Sequence, residues 1–267
     1  MTLGIIPFAR RSPLVMISVA LLTGACSQHT GPTGQTTTVT VFAASSLTGA
    51  FTKIGEDFQA VHPGTTVAFN FGPSDGLAGR IESEGTADVF ASASSTWMDD
   101  VGTKVGVSHL TQFATNKLVI ITPRANPAKI AHISDLAAPG VQLVLAAPGV
   151  PVGDYARQVL QNAGIAGAAE ANVVSYEQDD VSLVARVANG EADAAIVYLS
   201  DVTSKIAPTV HSVPIPMSVN VTAVYPIAVV NGSANASLAA AFIAYVAGYQ
   251  GQATLASFGF LPPSANT

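Results

Sequence analysis

The strongest constraint on the fold is one junction, where a short apolar strand runs directly into two serines and then a helix. Residues 39–47 read V-T-V-F-A-A-S-S-L, and residues 47–62 continue with the spacing of an amphipathic helix. The start of a helix is electropositive, because its first amides lack partners within the helix and the peptide dipoles add. A serine hydroxyl at this place can cap the helix, or it can donate to an anion in front of it.

The rest of the chain repeats this alternation of strands and helices, which predicts an α/β fold. Strands are predicted at residues 39–44, 65–71, 87–91, 113–122, 141–146, 172–175, 192–198 and 221–230. Helices are predicted at residues 47–62, 74–84, 94–101, 133–136, 154–163, 179–189, 236–247 and 250–257.

Two extended crossings, at residues 117–122 and 223–230, divide these units into two sets. We therefore expect two lobes, each a doubly wound sheet, joined by two hinge crossings. The predicted first lobe comprises residues 39–119 and 227–267, and the predicted second lobe comprises residues 120–226.

The first 26 residues have the composition of a targeting segment. Arg10 and Arg11 precede an apolar run at 14–22, which is too short to span a bilayer, and Cys26 follows. This segment resembles a bacterial lipoprotein signal, which implies that Cys26 carries a lipid and anchors the chain to the outer face of the cell membrane. The pattern leaves the general and the twin-arginine export routes both open. Residues 27–38 are polar and rich in Thr, Gly and Pro, which predicts a flexible tether.

Composition excludes several classes of function. The formal net charge is −6, which disfavours nucleic-acid binding. Cys26 is the only cysteine, so its lipidation would leave no thiol for a disulfide or a metal. The sequence contains neither metal-ligand spacing nor a cofactor motif, so we expect no cofactor. We also expect the protein to be a monomer.

Five residues stand at strand–helix junctions or strand ends. Ser46 and Ser74 each follow a strand and begin a helix, Val152 opens a helix after a Pro-rich loop, Val181 lies in the first turn of another, and Tyr198 ends the run A-A-I-V-Y. Ligands of doubly wound folds bind at the carboxyl ends of strands, where helix starts converge. We therefore interpret these residues as a candidate binding site.

The charge pattern around these junctions favours an anion. Lysine and arginine are absent from the junctions themselves, and hydroxyls with helix-start amides suit a fully ionised oxyanion. Asp179 and Asp180 precede Val181, and carboxylates would repel an anion. We therefore expect both carboxylates to face outward, with only the Val181 amide directed at the site.

A serine hydrolase is the competing interpretation of Ser74. Residues 72–76 read G-P-S-D-G and match the G-x-S-x-G nucleophile elbow. A triad would need a histidine and an acid, and His109, His132 and His211 all follow Ser74. None of these histidines lies at a clear strand end beside an acid that could orient it, so we do not expect an enzyme.

Four segments together carry a resemblance to a known family. They read F-A-A-S-S-L at 42–47, F-G-P-S-D-G-L-A at 71–78, A-D-V-F-A-S-A-S-S-T-W-M at 87–98 and A-I-V-Y-L-S-D at 195–201. With these segments the chain resembles, over residues 39–261, the molybdate-binding proteins of bacterial ABC importers. The run at 87–98 is the most distinctive, and we interpret it as packing between the lobes.

The resemblance implies a type II periplasmic-binding fold that closes on molybdate or tungstate, with the anion as ligand. It implies that Ser46 and Ser74 bind through hydroxyl and amide, Val152 and Val181 through backbone amides, and Tyr198 through its phenol. Molybdenum would be held only as the oxyanion.

Three alternatives stay open beside this assignment. Ser45 is the neighbour that could replace Ser46, although the family's serine directly precedes the leucine. The ligand could instead be sulfate or another tetrahedral oxyanion. The resemblance also implies an integral-membrane permease as partner, and the sequence does not show its contact surface.

Overall fold

A computed structural model describes residues 36–264 of the 267-residue chain. The predicted signal segment, Cys26 and most of the predicted tether therefore lie outside the described residues. The first strand begins at Thr37 and pairs in register with Thr65, so the last two residues of the predicted tether belong to the sheet. No helix within residues 36–264 has both the length and the apolar character needed to cross a lipid bilayer.

The described residues form nine strands, eight α-helices and three short 3₁₀ turns. The strands are β1 Thr37–Ala44, β2 Thr65–Gly72, β3 Val89–Ala91, β4 Val107–Pro123, β5 Leu143–Ala146, β6 Val173–Glu177, β7 Ala194–Tyr198, β8 Val210–Pro214 and β9 Thr222–Val230. The helices are α1 Thr48–Val61, α2 Ser74–Glu84, α3 Ser95–Lys104, α4 Pro151–Asn162, α5 Ala166–Glu170, α6 Asp180–Ala188, α7 Ala236–Ala247 and α8 Tyr249–Ser257. The 3₁₀ turns are Ser45–Leu47, Ile133–Ala137 and Leu199–Asp201.

The strands run in the order β2-β1-β3-β9-β4-β7-β5-β6, with β8 also paired to β4. Strands β1 to β3 pair in parallel, as do β5 to β7, whereas β4 pairs antiparallel with β7, β8 and β9. We call β1, β2, β3 and β9 with the start of β4 the first lobe, and β5 to β8 with the end of β4 the second lobe. The mixed α/β sheet with helices agrees with the predicted fold class.

Strand β4 connects the two lobes. Its partner changes between Lys117, which faces Thr222 of β9, and Leu118, which faces Tyr198 of β7. This change coincides with the predicted crossing at 117–122. The predicted lobe bounds at residues 119 and 226 fall inside β4 and β9, and they remain a prediction.

Two elements are absent from the sequence prediction. Strand β8 is five residues long and gains its order by pairing with the end of β4, a contact between distant segments. Helix α5 has only five residues and contains Gly167, so it shows no helical periodicity. Strand β4 also starts at Val107, six residues before the predicted bound at 113.

Hydrophobic clusters cover both faces of the sheet. In β1, Val41 and Ala43 face the larger cluster, while Phe42 between them faces the smaller one, as the twofold period of a strand requires. Phe51 of α1 is fully buried in the larger cluster, with its ring centroid 5.5 Å from that of Phe113. The packing on both faces holds the carboxyl ends of the strands in fixed positions.

Replacement of Phe51 should measure how much this packing stabilises the first lobe. We expect Phe51→Ala to lower the free energy of unfolding by about 3–5 kcal/mol, because it removes buried contacts and leaves a cavity. The measurement is chemical denaturation of both proteins. Val61→Ala is the control, since Val61 is 61% exposed and its loss should change stability by less than about 0.5 kcal/mol. A loss below about 1 kcal/mol for Phe51→Ala would contradict this assignment.

Candidate functional site

A small hollow lies where the carboxyl ends of several strands meet the starts of helices. Its lining residues are Ala44, Ser45, Ser46, Pro73, Ser74, Ala93, Val150, Pro151, Val152, Asp180 and Tyr198. The volume of the hollow is only about 10 Å³. Pockets for organic ligands typically have about 300–1,000 Å³, so this hollow is far too small for an organic ligand.

The structure brings four of the five predicted site residues to this hollow, namely Ser46, Ser74, Val152 and Tyr198. Val181 does not line it. It lines a wider neighbouring groove that shares Ser46 with the hollow, and its side chain is 60% exposed. The binding role of each of the five residues remains a prediction.

The phenol of Tyr198 is the most informative group in the hollow. Tyr198 is 2% exposed, and its hydroxyl has no hydrogen-bond partner among residues 36–264. An unpaired buried polar group costs about 1–3 kcal/mol. Burial also raises the pKa of Tyr198 well above its ordinary value, so the phenol keeps its proton. This O–H is therefore available to donate to a bound acceptor.

Ser74 is also arranged to donate. It is 1% exposed, and its Oγ accepts a hydrogen bond from the Ala93 amide at 3.0 Å. Pro73 holds the N-cap position of α2, so the Ser74 hydroxyl does not cap the helix. Because the amide occupies an acceptor position of Oγ, the hydroxyl proton remains free to point into the hollow.

The structure distinguishes Ser46 from Ser45. The Ser45 hydroxyl donates to Oδ1 of Asp180, so its proton is already used. The Ser46 Oγ lies 3.1 Å from the hydroxyl of Tyr225, whose pKa is raised by burial and which therefore keeps its own proton. When Tyr225 donates, the Ser46 proton is free, and this arrangement favours Ser46 as the ligand.

At the start of α4 one backbone amide is free. The Val152 amide donates to no carbonyl within the described part of the chain, whereas the Gly153 amide donates to the Val150 carbonyl at 2.9 Å. Of these two neighbouring amides, only that of Val152, the predicted site residue, is left without an acceptor among the described residues. A Cβ on Gly153 would lie 2.4 Å from the Ala146 carbonyl oxygen, so only glycine fits at this position.

The position of Asp180 corrects the sequence prediction. Asp179 does act as a helix cap, since its Oδ1 accepts from the Ser182 amide at 2.7 Å. Asp180, however, is 3% exposed and lines the hollow, so the expectation that it faces outward is wrong. The sequence argument assumed an ionised carboxylate, which would repel an anion.

A neutral Asp180 removes this conflict. Burial raises the pKa of Asp180, and burial together with the nearby Asp180 raises the pKa of Asp201 well above its ordinary value. A protonated carboxyl group carries no charge that could oppose a bound anion. The two acids are therefore compatible with an anion site in their neutral form.

The hollow lacks the groups that hydrolysis would need. Its lining includes no lysine, arginine or histidine. His132 is the N-cap of the 3₁₀ turn Ile133–Ala137, and His211 lies exposed on β8. The Ser74 hydroxyl therefore has no histidine partner in the hollow, and the hydrolase interpretation loses its catalytic base. Among residues 36–264, no group of three or more His, Cys, Asp or Glu side chains could hold a metal ion.

Comparison with known proteins identifies the family. The family described as "Bacterial extracellular solute-binding protein" matches residues 39–261. The molybdate-binding protein ModA of Mycobacterium tuberculosis is 39% identical over 258 residues, which cover 93% of this chain and 97% of that protein. Both comparisons span the whole described fold.

Solved structures show the same fold. The periplasmic molybdate-binding protein of Azotobacter vinelandii matches with a TM-score of 0.74 at 20% identity, covering 85% of this chain and 100% of that one. The sulfate-binding protein SubI of Mycobacterium tuberculosis matches with a TM-score of 0.75 at 17% identity, covering 85% and 87%. These likenesses support the two-lobed type II fold and do not discriminate between the anions.

The named relatives are binding proteins and not enzymes, which confirms the corresponding prediction. The chain belongs to the bacterial extracellular solute-binding proteins and, within them, to the family of the molybdate-binding proteins.

Proposed function

We propose that this protein captures molybdate, and tungstate with it, outside the cytoplasm and delivers the anion to the permease of an ABC importer. Its relatives at 39% and 34% identity are molybdate-binding proteins. The observation that carries the proposal is the buried phenol of Tyr198, which has no hydrogen-bond partner among the described residues and lies in a hollow too small for an organic ligand. The anion is a transported ligand and not a cofactor.

Neutral donors bind the anion in this proposal. The hydroxyls of Ser46, Ser74 and Tyr198 and the amide of Val152 donate to the four oxygens. The Val181 amide, which has no acceptor among the described residues, is the fifth donor. A hydrogen bond to a charged acceptor contributes about 1.5–3 kcal/mol, so several together are compatible with sub-micromolar affinity of about 8 kcal/mol or more.

Closure of the lobes follows from the distribution of the donors. Ser46 and Ser74 belong to the first lobe, whereas Val152, Val181 and Tyr198 belong to the second lobe. An anion that contacts both lobes at once stabilises the closed state, because only that state makes all the contacts. The closed protein then docks on the permease and releases the ion there.

Membership of the extracellular solute-binding proteins implies an extracytoplasmic location and a permease partner. We further propose that residues 1–26 are removed up to Cys26, that Cys26 carries the lipid anchor, and that the protein works as a monomer. The sequence pattern around Cys26 supports the anchor.

Removing single donors should weaken binding without unfolding the protein. We expect Tyr198→Phe and Ser74→Ala each to reduce molybdate affinity by about 1–3 kcal/mol, because an anion oxygen loses its donor. Isothermal titration calorimetry measures the effect. Ser83→Ala is the matched control, because its exposed hydroxyl donates to the Gly79 carbonyl within α2 and does not line the hollow, so molybdate affinity should stay unchanged. Unchanged affinity in both Tyr198→Phe and Ser74→Ala would exclude these hydroxyls from the site.

Selectivity among anions tests the choice of ligand. Sulfate has the same charge and shape as molybdate but is smaller, so a hollow shaped for molybdate leaves some of its donors out of reach. We expect molybdate and tungstate to raise the melting temperature far more than sulfate or phosphate at equal concentration, since ligands that bind only the folded form stabilise it. A larger shift with sulfate would support the alternative that the protein binds sulfate.

The protonation of Asp180 predicts the pH dependence of binding. Its folded pKa lies above the ordinary value of 3.8, so the group is neutral below the raised pKa and ionised above it. Besides Asp201, the groups near it are Asp179, Tyr198 and Tyr225, none of which supplies a positive charge. We therefore expect molybdate affinity to fall as the pH rises through this pKa. Stability of the ligand-free protein should fall over the same range, because a raised carboxyl pKa stabilises the fold only while the group is protonated.

Calorimetry across a pH series compares the wild type with Asp180→Asn, which keeps the shape and stays neutral. The variant should show a flatter dependence of affinity on pH. An equal slope in both proteins would show that Asp180 does not cause the dependence.

A further inference from the structure

The only tryptophan of the chain makes a contact between the lobes. Trp97 lies in the first turn of α3, and its indole N–H donates to the carbonyl of Gly149 at 2.8 Å. Helix α3 follows β3 of the first lobe, whereas Gly149 lies between β5 and α4 of the second lobe. This hydrogen bond therefore crosses the cleft between the lobes.

The body of the Trp97 side chain belongs to the first lobe. Its ring packs against the smaller hydrophobic cluster, which includes Phe42 and Met98. Its N–H donates across the cleft, and the neighbouring Cζ2 atom lies 3.8 Å from where a Cβ on Gly149 would be. Loss of the hydrogen bond alone would therefore leave the packing of the first lobe in place.

Gly149 sits in the loop that presents a ligand amide. Its φ is +92°, in the left-handed region that favours glycine, and its own amide donates to Oδ1 of Asp154 at 3.0 Å. The Val150 amide donates back to the Ala147 carbonyl at 3.2 Å. These bonds make a tight turn directly before Val152, so a contact that holds the Gly149 carbonyl also holds the start of α4.

Trp97 does not line the hollow itself. Any effect of Trp97 on the anion is indirect, because Trp97 contacts the loop at Gly149 that leads to Val152 and so acts as a positioning residue. The Ser45–Asp180 hydrogen bond makes a second contact between the lobes, but it lies in the wall of the hollow and its removal would disturb the site directly. A substitution of Trp97, by contrast, changes none of the residues that we propose to bind the anion.

We propose that Trp97 is a closure latch, whose indole N–H bonds to Gly149 when the lobes close on the anion and slows its release. This inference rests on the proposed function. In the open protein both groups would return to water, so the bond favours the closed state alone. A net hydrogen bond of about 0.5–1.5 kcal/mol corresponds to a roughly two- to tenfold change in release rate.

The test replaces Trp97 by phenylalanine, which keeps an aromatic ring but has no N–H group. Release of radiolabelled molybdate is followed after dilution into unlabelled molybdate. We expect Trp97→Phe to release the ion about two- to tenfold faster, with an unchanged association rate and an unchanged melting temperature of the ligand-free protein. Thr103→Val is the matched control, since it removes a hydrogen bond within α3 itself and should leave the release rate unchanged.

The outcomes separate the two proposals. If the wild type binds molybdate and Trp97→Phe releases it at the wild-type rate, the latch is overturned and the proposed function stands. Faster release together with a lower melting temperature of the ligand-free variant would show a merely structural role and also overturn the latch. If the wild type binds neither molybdate nor tungstate, the proposed function fails, and the latch fails with it.

Discussion

The properties of the hollow depend on O–H groups that donate to no acceptor within the described part of the protein, above all the hydroxyl of Tyr198. The Tyr198 hydroxyl has no partner among residues 36–264, and such a group destabilises the fold unless something binds it. The Ala93 amide donates to the Ser74 oxygen, which leaves the Ser74 hydroxyl proton available. The Tyr225 hydroxyl lies within hydrogen-bond distance of the Ser46 oxygen, and when it donates, the Ser46 proton is available as well. In the proposed function, a bound acceptor would satisfy the Tyr198 hydroxyl and offset this cost.

The absence of cations from the hollow follows the same logic. Uncharged donors can surround an oxyanion on all sides, because they do not repel each other as lysines and arginines would. They also impose direction, since each O–H or N–H must point at an oxygen. Asp180 fits this environment only as a neutral acid, and its burial beside Asp201 favours that form. A carboxyl in the wall therefore adds a link between anion binding and pH.

The two lobes share one sheet through β4, which pairs with β9 in the first lobe and with β7 in the second. The residues that we propose as donors come from both lobes, so in the proposed function the ion is a contact that the lobes share. The Trp97–Gly149 and Ser45–Asp180 hydrogen bonds join the lobes directly, the first of them at the loop that precedes Val152. In the proposed closure, a change of angle at the middle of β4 moves whole helices without breaking their cores, because β4 runs through both lobes.

The local pattern of the sequence predicts most of the fold and the position of the site. Apolar runs followed by serines, prolines or acids define β1, β2, β5 and β7. The rule that ligands bind at the carboxyl ends of strands selects Ser46, Ser74, Val152, Val181 and Tyr198, of which all but Val181 line the hollow. The family resemblance agrees with the comparisons. By contrast, β8 and α5 are five-residue elements, and their order depends on distant partners that no local pattern reveals.

Residue types and strand ends can be read locally, because periodicity and helix capping are properties of neighbouring residues. The direction in which a side chain points cannot be read in this way, because it depends on contacts with residues that are far away in the sequence. The Asp180 carboxyl lies inward, where it accepts a hydrogen bond from the Ser45 hydroxyl 135 residues away, whereas Ser46 lies beside the Tyr225 hydroxyl. The choice between the two serines, the neutral acid and the Trp97 contact therefore arise from folding, which alone brings these pairs together.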